Sequence, residues 1–333
     1  MEKLKAIVVG TGRIGSLHAK AYYENPFVRL VAVVDNDVTI AQKIAEQYDC
    51  EYFDSVEKAI ENVEFDIASV ATPEQSHLEI GETLIKEGKA VLMEKPIAPN
   101  MEEALQLKEV VNKHNGFMSV NYILRQDPRV LTIKEKIDND VLGDPVTFFA
   151  RRRGSFLGAQ TYGKWTDLLI STVIHDLDLM IYLNPSKPVK VFGESVMKKC
   201  KDIGTEDAFA AIIKFEDGSI GTIDSSWVLP STMHEPLGAR FSIIGTKGGA
   251  EIVGSNHGLS FTTEEEYIHP DLTHWPIVDG KLTGDLKYSI DDFVERVLNE
   301  QEPSMPLFEA MKSLELVFAI KESIRQNKPI TLS

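Results

Sequence analysis

The sequence predicts a two-domain protein, with an α/β doubly wound parallel sheet followed by a domain built on a large, mostly antiparallel open sheet. Three observations support this prediction. Short β-branched runs alternate with helical patterns over the first 120 residues. A glycine-rich turn follows the first of these runs, and hairpin-type turns separate the strands of the second half.

The first domain is predicted from strand–helix alternation. Helical periodicity covers residues 75–87 and 100–114, and strands are predicted at 5–9, 30–34, 66–70, 89–93 and 117–120. Strands separated by helices at this spacing are typical of βαβ units, which build a parallel sheet. We assign residues 1–122 to this domain.

The second domain, residues 123–333, has a different pattern. Strands are predicted at 145–153, 188–197, 206–215, 219–228, 239–244 and 249–253, with helices at 126–140, 172–184 and within 286–325. The segments "EDGS" and "GTKGG" are typical turns of antiparallel hairpins. The pattern therefore indicates an antiparallel sheet that carries helices.

Composition excludes some classes of function. The chain has 333 residues and a formal charge of −16, which disfavours binding to nucleic acid or to an anionic membrane. It contains no run of about 18 apolar residues. The N-terminus lacks the apolar region of a signal peptide. Cys50 and Cys200 have no metal-ligand spacing, so we expect no metal site, no disulfide and a cytoplasmic location.

The segment "VVGTGRIG" has the spacing of a dinucleotide site. Gly10, Gly12 and Gly15 follow the first strand, and Asp35 ends the second. The glycines allow a tight turn and a close approach of pyrophosphate to a helix N-terminus, while the acid accepts hydrogen bonds from ribose hydroxyls. Asp35 is followed by Asn36 and Asp37, which favours NAD over NADP, with Arg13 the nearby cation. A glycine turn without a cofactor remains the alternative.

Two further segments carry a family resemblance. "MEKPIA" at 93–98 and "STVIHDLD" at 171–178, together with the glycine turn, resemble the glucose–fructose oxidoreductase / inositol dehydrogenase / MocA family. "ATPEQSH", "VNYILRQDP" and "FEDGSIGTI" extend the resemblance over nearly the whole chain. It implies a Rossmann domain, an open-sheet domain, NAD(P)-linked chemistry on sugars and polyols, and a homodimer or homotetramer.

The resemblance also implies individual site residues. Lys95 resembles the family lysine near the nicotinamide, and His175 resembles the histidine of an Asp-x-x-x-His pattern. The sequence departs from that pattern because Ser171 occupies the aspartate position; Asp178 resembles a substrate-contacting position. Besides the three glycines, Arg13 and Asp35, the implied cofactor contacts are Ile14, Thr72, Pro73, His77, Glu94, Lys95 and Asn121.

The chemistry of these residues is consistent with the resemblance. Oxidising a secondary alcohol requires removal of its hydroxyl proton, which an imidazole or a desolvated ammonium group can accept near neutral pH. Lys95 follows an apolar strand at its carboxyl end, where open α/β sheets bind ligands. A solvated lysine and a core histidine remain the alternatives. In a continuous helix, Ser171, His175 and Asp178 would share one face and Asp176 would point away.

The segment "ARRRG" gives a second set of candidates. Strand alternation predicts Arg151 and Arg153 on one face of the sheet, where they could bind an anionic substrate, and Arg152 on the other. A solvated face paired with surface acids is the alternative. Arg125, Trp165 and Tyr288 are further substrate candidates, for which packing or surface roles remain open.

The leading hypothesis is an NAD-dependent dehydrogenase that acts on a sugar, a cyclitol or a sugar acid. One alternative is a redox-neutral enzyme that uses NAD to cleave glycosides through a keto intermediate. The other is a non-catalytic NAD-sensing protein of the same fold.

Overall fold

The computed structural model describes residues 2–235 and 237–332. Its strands are β1 (Leu4–Val9), β2 (Val28–Val34), β3 (Glu51–Phe53), β4 (Ile67–Val70), β5 (Ala90–Met93), β6 (Met118–Val120), β7 (Pro145–Ser155), β8 (Pro188–Val196), β9 (Ala208–Phe215), β10 (Ile220–Leu229), β11 (Arg240–Gly245), β12 (Gly249–Val253), β13 (Phe261–Thr262), β14 (Tyr267–Ile268), β15 (Ile277–Val278), β16 (Lys281–Leu282) and β17 (Ile330–Thr331).

The helices include four that begin and end within two residues of the predicted ranges 75–87, 100–114, 126–140 and 172–184, and several that no predicted range covers. They are α1 (Arg13–Glu24), α2 (Val38–Tyr48), α3 (Val56–Asn62), α4 (His77–Lys86), α5 (Met101–His114), α6 (Pro128–Asp138), α7 (Phe156–Tyr162), α8 (Ile174–Leu183), α9 (Asp285–Leu298) and α10 (Leu307–Gln326). Side-chain caps explain where several of these helices begin. Asp37 and Asn100 accept hydrogen bonds from the first amides of α2 and α5, and Asp127 does so for α6, which has Pro128 in its first turn. Among the described residues, no helix is both long and apolar enough to cross a membrane.

The first sheet confirms the predicted doubly wound α/β fold. Its strand order is β3-β2-β1-β4-β5-β6, and all its pairs are parallel. Residues of β4 and the last four of β1 are buried throughout, as expected for strands covered on both faces. The order reverses at β1, and ligands of such sheets bind at the carboxyl ends of the strands near this point.

The second sheet confirms the predicted large, mostly antiparallel sheet. Its order is β12-β11-β7-β10-β9-β8-β17, and only β7 and β10 pair in parallel. Gly193 and Gly221 let helices approach one face closely. A Cβ at Gly193 would lie 3.0 Å from Ile320 of α10, and one at Gly221 would lie 2.8 Å from Met180 of α8.

The chain packs as two compact units, one of residues 1–123 with 275–311 and the other of 124–274 with 312–333. The sequence assigns residues 275–311 to the second domain, whereas they pack with the first sheet. Asn25 donates to Asp291 of α9 at 2.8 Å, and the Val120 amide donates to the Met305 carbonyl at 2.9 Å. Such long-range contacts have no local signature, and hydrophobic periodicity cannot reveal them.

Candidate functional site

The glycine turn has the shape that a pyrophosphate requires. Gly10 has φ +84°, and a Cβ there would lie 2.7 Å from the Ala71 carbonyl oxygen. A Cβ at Gly15 would lie 1.7 Å from the Gly10 carbonyl oxygen, so α1 packs directly on the turn. At Gly12, which precedes α1, an added Cβ would meet nothing within 4 Å. The backbone is therefore open where an anion could approach the helix N-terminus, and the turn fits a dinucleotide.

Asp35 is tied directly to this turn. Its Oδ2 accepts hydrogen bonds from the Thr11 amide at 2.7 Å and the Thr11 hydroxyl at 2.9 Å, and its Oδ1 accepts from the Asp37 amide at 3.0 Å. These bonds orient the carboxylate at the end of β2. Each carboxylate oxygen has two acceptor sites, so Oδ1 keeps one for a ribose hydroxyl.

Arg13 and Ile14 are the first two residues of α1. The Arg13 guanidinium lies over the Trp275 ring at 5.5 Å from its centre, within the range of a cation–π interaction. Ile14 is partly exposed. Arg13, the cation closest in sequence to Asp35 and the glycines, is therefore associated with an aromatic ring in this structure.

His77 joins the loop after β4 to the segment after β5. Its Nδ1 lies 2.9 Å from the Pro96 carbonyl oxygen, and its Nε2 lies 3.0 Å from the Thr72 carbonyl oxygen. The ring is completely buried, and burial lowers the pKa of His77 although the two backbone hydrogen bonds oppose the shift. The His77 imidazole therefore fixes the backbone beside Lys95, and a structural role accounts for its contacts. Pro73, next to Thr72, is exposed.

Lys95 itself is partly exposed at the carboxyl end of β5, in a cis peptide with Pro96. The preceding Glu94 is turned inward: its Oε1 accepts a hydrogen bond from Asn121 at 2.5 Å and lies 3.1 Å from Nε2 of His18. Asn121 is buried and is bonded to Ser289 on its other side. The side chains of Glu94 and Asn121 are therefore occupied by protein partners.

In the second unit, the segment before α8 differs from the predicted helix. Residues Leu169–Val173 form a π-helical turn in which the Ile174 amide donates to the Leu169 carbonyl. Single π turns inside helices are frequent at functional sites. Ser171 lies within this turn, its hydroxyl 3.1 Å from that of Thr172, and His175 follows in the first turn of α8. Both residues are partly exposed.

The two aspartates after His175 both bind buried arginines. Asp178 accepts two hydrogen bonds from Arg125, each 2.8 Å long, and a third from Ser313 at 3.1 Å. Asp176 accepts one from Arg152 at 2.7 Å. Asp178 and Arg125, both of which were predicted to contact substrate, therefore form a buried ion pair with each other. Asp176 is also buried and forms an ion pair with Arg152.

Arg151 and Arg153 lie on the face of the second sheet opposite to Arg152, as strand alternation predicts. Because Arg152 binds Asp176 of α8, these two arginines lie across the sheet from the helix that carries His175. Arg153 pairs with Asp224 at 2.6 Å, and about 40% of each side chain is exposed (42% and 41%). Burial, followed by the charges of Arg153 and Arg240, lowers the pKa of Arg151. The placement of Arg153 favours the alternative of a surface ion pair.

The remaining candidates are exposed aromatic residues. Trp165 is 58% exposed and meets the Tyr162 ring edge-on at 6.0 Å. Tyr288 is 46% exposed on α9 of the first unit. The described contacts give neither ring a ligand-binding role.

Three buried polar contacts were not predicted from the sequence: His18 bonds to Glu94, Ser69 bonds to His18, and Arg152 bonds to Asp176. His18, Ser69 and Arg152 are buried polar groups whose partners lie far away in the chain. Their only signal in the sequence is a polar residue in an apolar pattern, and that signal does not identify the partner.

Comparison with known proteins identifies the family. The model of the NAD-binding Rossmann fold of the Gfo/Idh/MocA oxidoreductase family matches residues 4–122, and the model of its C-terminal alpha/beta domain matches residues 134–332. An inositol 2-dehydrogenase of Rhizobium meliloti (strain 1021) is 25% identical over 98% of both chains. A D-glucoside 3-dehydrogenase of Escherichia coli (strain K12) is 26% identical over 81% of this chain and 84% of that protein.

The fold is shared with a solved structure as well. Scyllo-inositol dehydrogenase from Lactobacillus casei, solved with bound cofactor NAD(H) and scyllo-inositol, superposes with a TM-score of 0.87 at 20% identity over 99% of both chains. Because the two family models together span nearly all of the sequence, this chain belongs to the Gfo/Idh/MocA oxidoreductase family.

Proposed function

We propose that this protein is an NAD-dependent oxidoreductase that transfers a hydride between the nicotinamide and a secondary hydroxyl or ketone of a sugar, a cyclitol or a sugar acid. The observation that carries the proposal is the glycine turn bonded to Asp35, on the same carboxyl edge of the first sheet as Lys95. The relatives named above are dehydrogenases of an inositol and a glucoside. Their names favour net oxidation over glycoside cleavage or NAD sensing.

The cofactor would be held by the glycine turn and by Asp35. At this position the oxidised nicotinamide would supply the hydride acceptor, and the reduced form would supply the hydride donor. The exposed backbone at Gly12 would accommodate the pyrophosphate, and Asp35 would accept from the ribose. We propose NAD in preference to NADP, because the Asp35 carboxylate would repel a 2′-phosphate.

Lys95 and His175 are proposed to transfer the hydroxyl proton. Both are partly exposed, as groups that exchange protons with a ligand must be. Ser171 lacks a charge and cannot act as a general base at neutral pH, so its proposed role is to orient substrate or imidazole through its hydroxyl. Asp178, which binds Arg125, is assigned the role of supporting α8.

Absorbance at 340 nm tests the reaction. Wild type with NAD and a panel of cyclitols, sugars and sugar acids should produce NADH with at least one of them. Lys95→Ala and His175→Ala should each lower kcat by roughly 10²–10⁴-fold, the usual contribution of a positioned acid or base. Lys113→Ala and His114→Ala, in the exposed last turn of α5, are the matched controls and should leave kcat unchanged. A His175→Ala enzyme with wild-type kcat would return this histidine to a packing role.

Titration calorimetry tests the cofactor preference. Wild type should bind NAD more tightly than NADP, and Asp35→Ser should narrow the difference. Equal dissociation constants for the two cofactors in wild type would contradict the role given to Asp35.

We also propose that the protein is a homodimer or homotetramer that covers the open face of the second sheet. Phe149 and Ile212 flank Thr222 on this face, and they are 38% and 52% exposed. Exposed apolar clusters of this kind are normally covered by a partner. Light scattering at micromolar concentration should give at least twice the chain mass, and a monomer mass would refute the proposal.

We also propose that the protein is located in the cytoplasm. Its basis is the pair of cysteines without a metal-ligand spacing, for which a reducing compartment is the default. Fractionation of the native host would test it, and recovery outside the cytoplasm would refute it.

A further inference from the structure

Four side chains form a continuous hydrogen-bonded chain inside the first unit. The Tyr22 hydroxyl lies 2.7 Å from Oγ of Ser69, which lies 2.9 Å from Nδ1 of His18. On the other side of the imidazole, Nε2 lies 3.1 Å from Oε1 of Glu94. Tyr22, Ser69 and His18 are fully buried (0% exposed), so water cannot replace any of these contacts.

The direction of the hydrogen bonds follows from Glu94. Burial raises the pKa of Glu94, but His18, Lys95 and Asn121 together outweigh burial and lower it overall. An ionised carboxylate only accepts, so Nε2 of His18 donates to it. In a neutral ring Nδ1 then accepts from Ser69, and Ser69 accepts from Tyr22. Every group in the chain is satisfied with His18 as the Nε2–H tautomer.

Asn121 completes the set of donors around Glu94. Its amide nitrogen lies 2.5 Å from Oε1 of Glu94 but 3.3 Å from Nε2 of His18, so it donates to the carboxylate. Ser289 donates to the Asn121 carbonyl oxygen at 2.6 Å, which fixes the orientation of the amide. The second oxygen of Glu94 accepts from the Lys95 backbone amide at 3.3 Å. The carboxylate is thus bonded to two distant elements and to the backbone of the next residue.

We propose that His18, Glu94 and Asn121 form a clamp that positions Lys95 for proton transfer, and that the Glu94 side chain is a positioning group rather than a cofactor contact. The inference rests on the role proposed above for Lys95. The clamp holds the chain where β5 ends, because both hydrogen-bond donors on Oε1 come from other elements, α1 and the segment after β6. A displacement of about 1 Å in a reacting group can cost on the order of 10²-fold in rate.

Two substitutions of His18 separate its two bonds. His18→Gln places an amide near the former Nε2 and can still donate to Glu94, whereas His18→Asn reaches only toward Ser69. A hydrogen bond to a charged group contributes enough for a loss of roughly 10–100-fold. The clamp therefore predicts that kcat of His18→Asn is about 10–100-fold below that of His18→Gln, with the same dissociation constant for NAD. Equal kcat values in two folded variants would overturn the proposal.

Controls separate positioning from general stability and from cofactor binding. Tyr22→Phe removes a buried hydroxyl from the same helix but leaves Ser69 able to donate to His18, so kcat should stay at the wild-type value. Glu94→Gln removes the charge at constant shape and should lower kcat at unchanged NAD affinity. Weaker NAD binding at unchanged kcat in Glu94→Gln would instead make Glu94 a cofactor contact and reject the clamp.

Nitrogen NMR of the His18 ring gives a readout that needs no turnover and no variant. The Nε2–H tautomer supports the clamp, even if no substrate in the panel is oxidised and the proposed function fails. The Nδ1–H tautomer shows that His18 does not donate to Glu94, and it overturns the clamp even if the enzyme is active.

Discussion

Replacing Asp178 with asparagine is expected to destabilise the second unit strongly. The carboxylate accepts both the Nε and the Nη2 bonds of Arg125 and a third from Ser313. The Asp178 and Arg125 side chains are 1% and 10% exposed, and the guanidinium lies 4.6 Å from the centre of the Tyr182 ring. Asparagine keeps the shape of the side chain but leaves the guanidinium charge without its buried counter-ion.

The size of the effect follows from this burial. Removal of one partner from a buried ion pair costs about 3–5 kcal/mol, because the other charge stays desolvated. The asparagine carbonyl oxygen can still accept one guanidinium bond, which places the expected loss near the lower end, at about 3 kcal/mol. For a unit of this size, that corresponds to a decrease in Tm of roughly 6–12 °C.

Thermal and urea unfolding of wild type, Asp178→Asn and Asp224→Asn form the assay. Asp224→Asn removes the carboxylate charge from the Arg153–Asp224 ion pair, which has one hydrogen bond of 2.6 Å and is about 40% exposed (42% and 41%), so this variant should lose less than about 1 kcal/mol. The double variant Arg125→Met/Asp178→Leu should recover part of the stability. A change below about 1 kcal/mol for Asp178→Asn, accompanied by a raised KM, would refute the structural role and assign Asp178 to substrate binding.

Three further predictions follow from the same structure. The folded-state pKa of His77 lies below its ordinary value of 6.5, so the unfolded state binds the proton first as the pH falls. The contribution of His77 to stability should therefore be constant above about pH 7 and should decrease as the pH drops through 6.5. Urea titrations at several pH values should show a smaller decrease in stability for His77→Gln than for wild type, and identical pH profiles of the two proteins would contradict this. Arg153→Ala should change KM for neutral and acidic sugars equally little, because the guanidinium pairs with Asp224; a selective rise for acidic sugars would restore the anion-site hypothesis. Ser171→Asp should impair the native substrate if serine is a specificity adaptation, whereas increased activity across the whole panel would indicate a decayed site.

Local sequence was sufficient to predict the two sheets and the glycine turn with the acid at the end of the next strand. Strand–helix alternation predicted the first sheet, and strand patterns separated by hairpin turns predicted the second, because hydrophobic periodicity and turn residues are properties of short segments. The glycine turn and Asp35 were recognised because a glycine turn after one strand and an acid at the end of the next strand form a single known sequence pattern. Strand alternation also separated Arg152 from Arg151 and Arg153, since successive side chains of a strand point to opposite faces.

The identities of the partners of buried polar groups were decided by tertiary structure. From sequence, Asp178 was a substrate candidate and Asp176 was expected only to point away from the face that carries His175, yet Arg125 and Arg152 bind these two aspartates inside the protein. His18 had no recognised role, although it meets Glu94 across 76 residues of chain.

The physical reason is the cost of burying charge. Once folding removes a carboxylate from water, a donor must meet it, and which donor does so depends on the packing of elements far apart in sequence. The sequence by itself therefore determined the two sheets, the glycine turn and the acid that follows it. Only the tertiary structure decided which polar side chains stay partly exposed, as Lys95 and His175 do, and which are buried in contacts with protein partners, as Asp176 and Asp178 are.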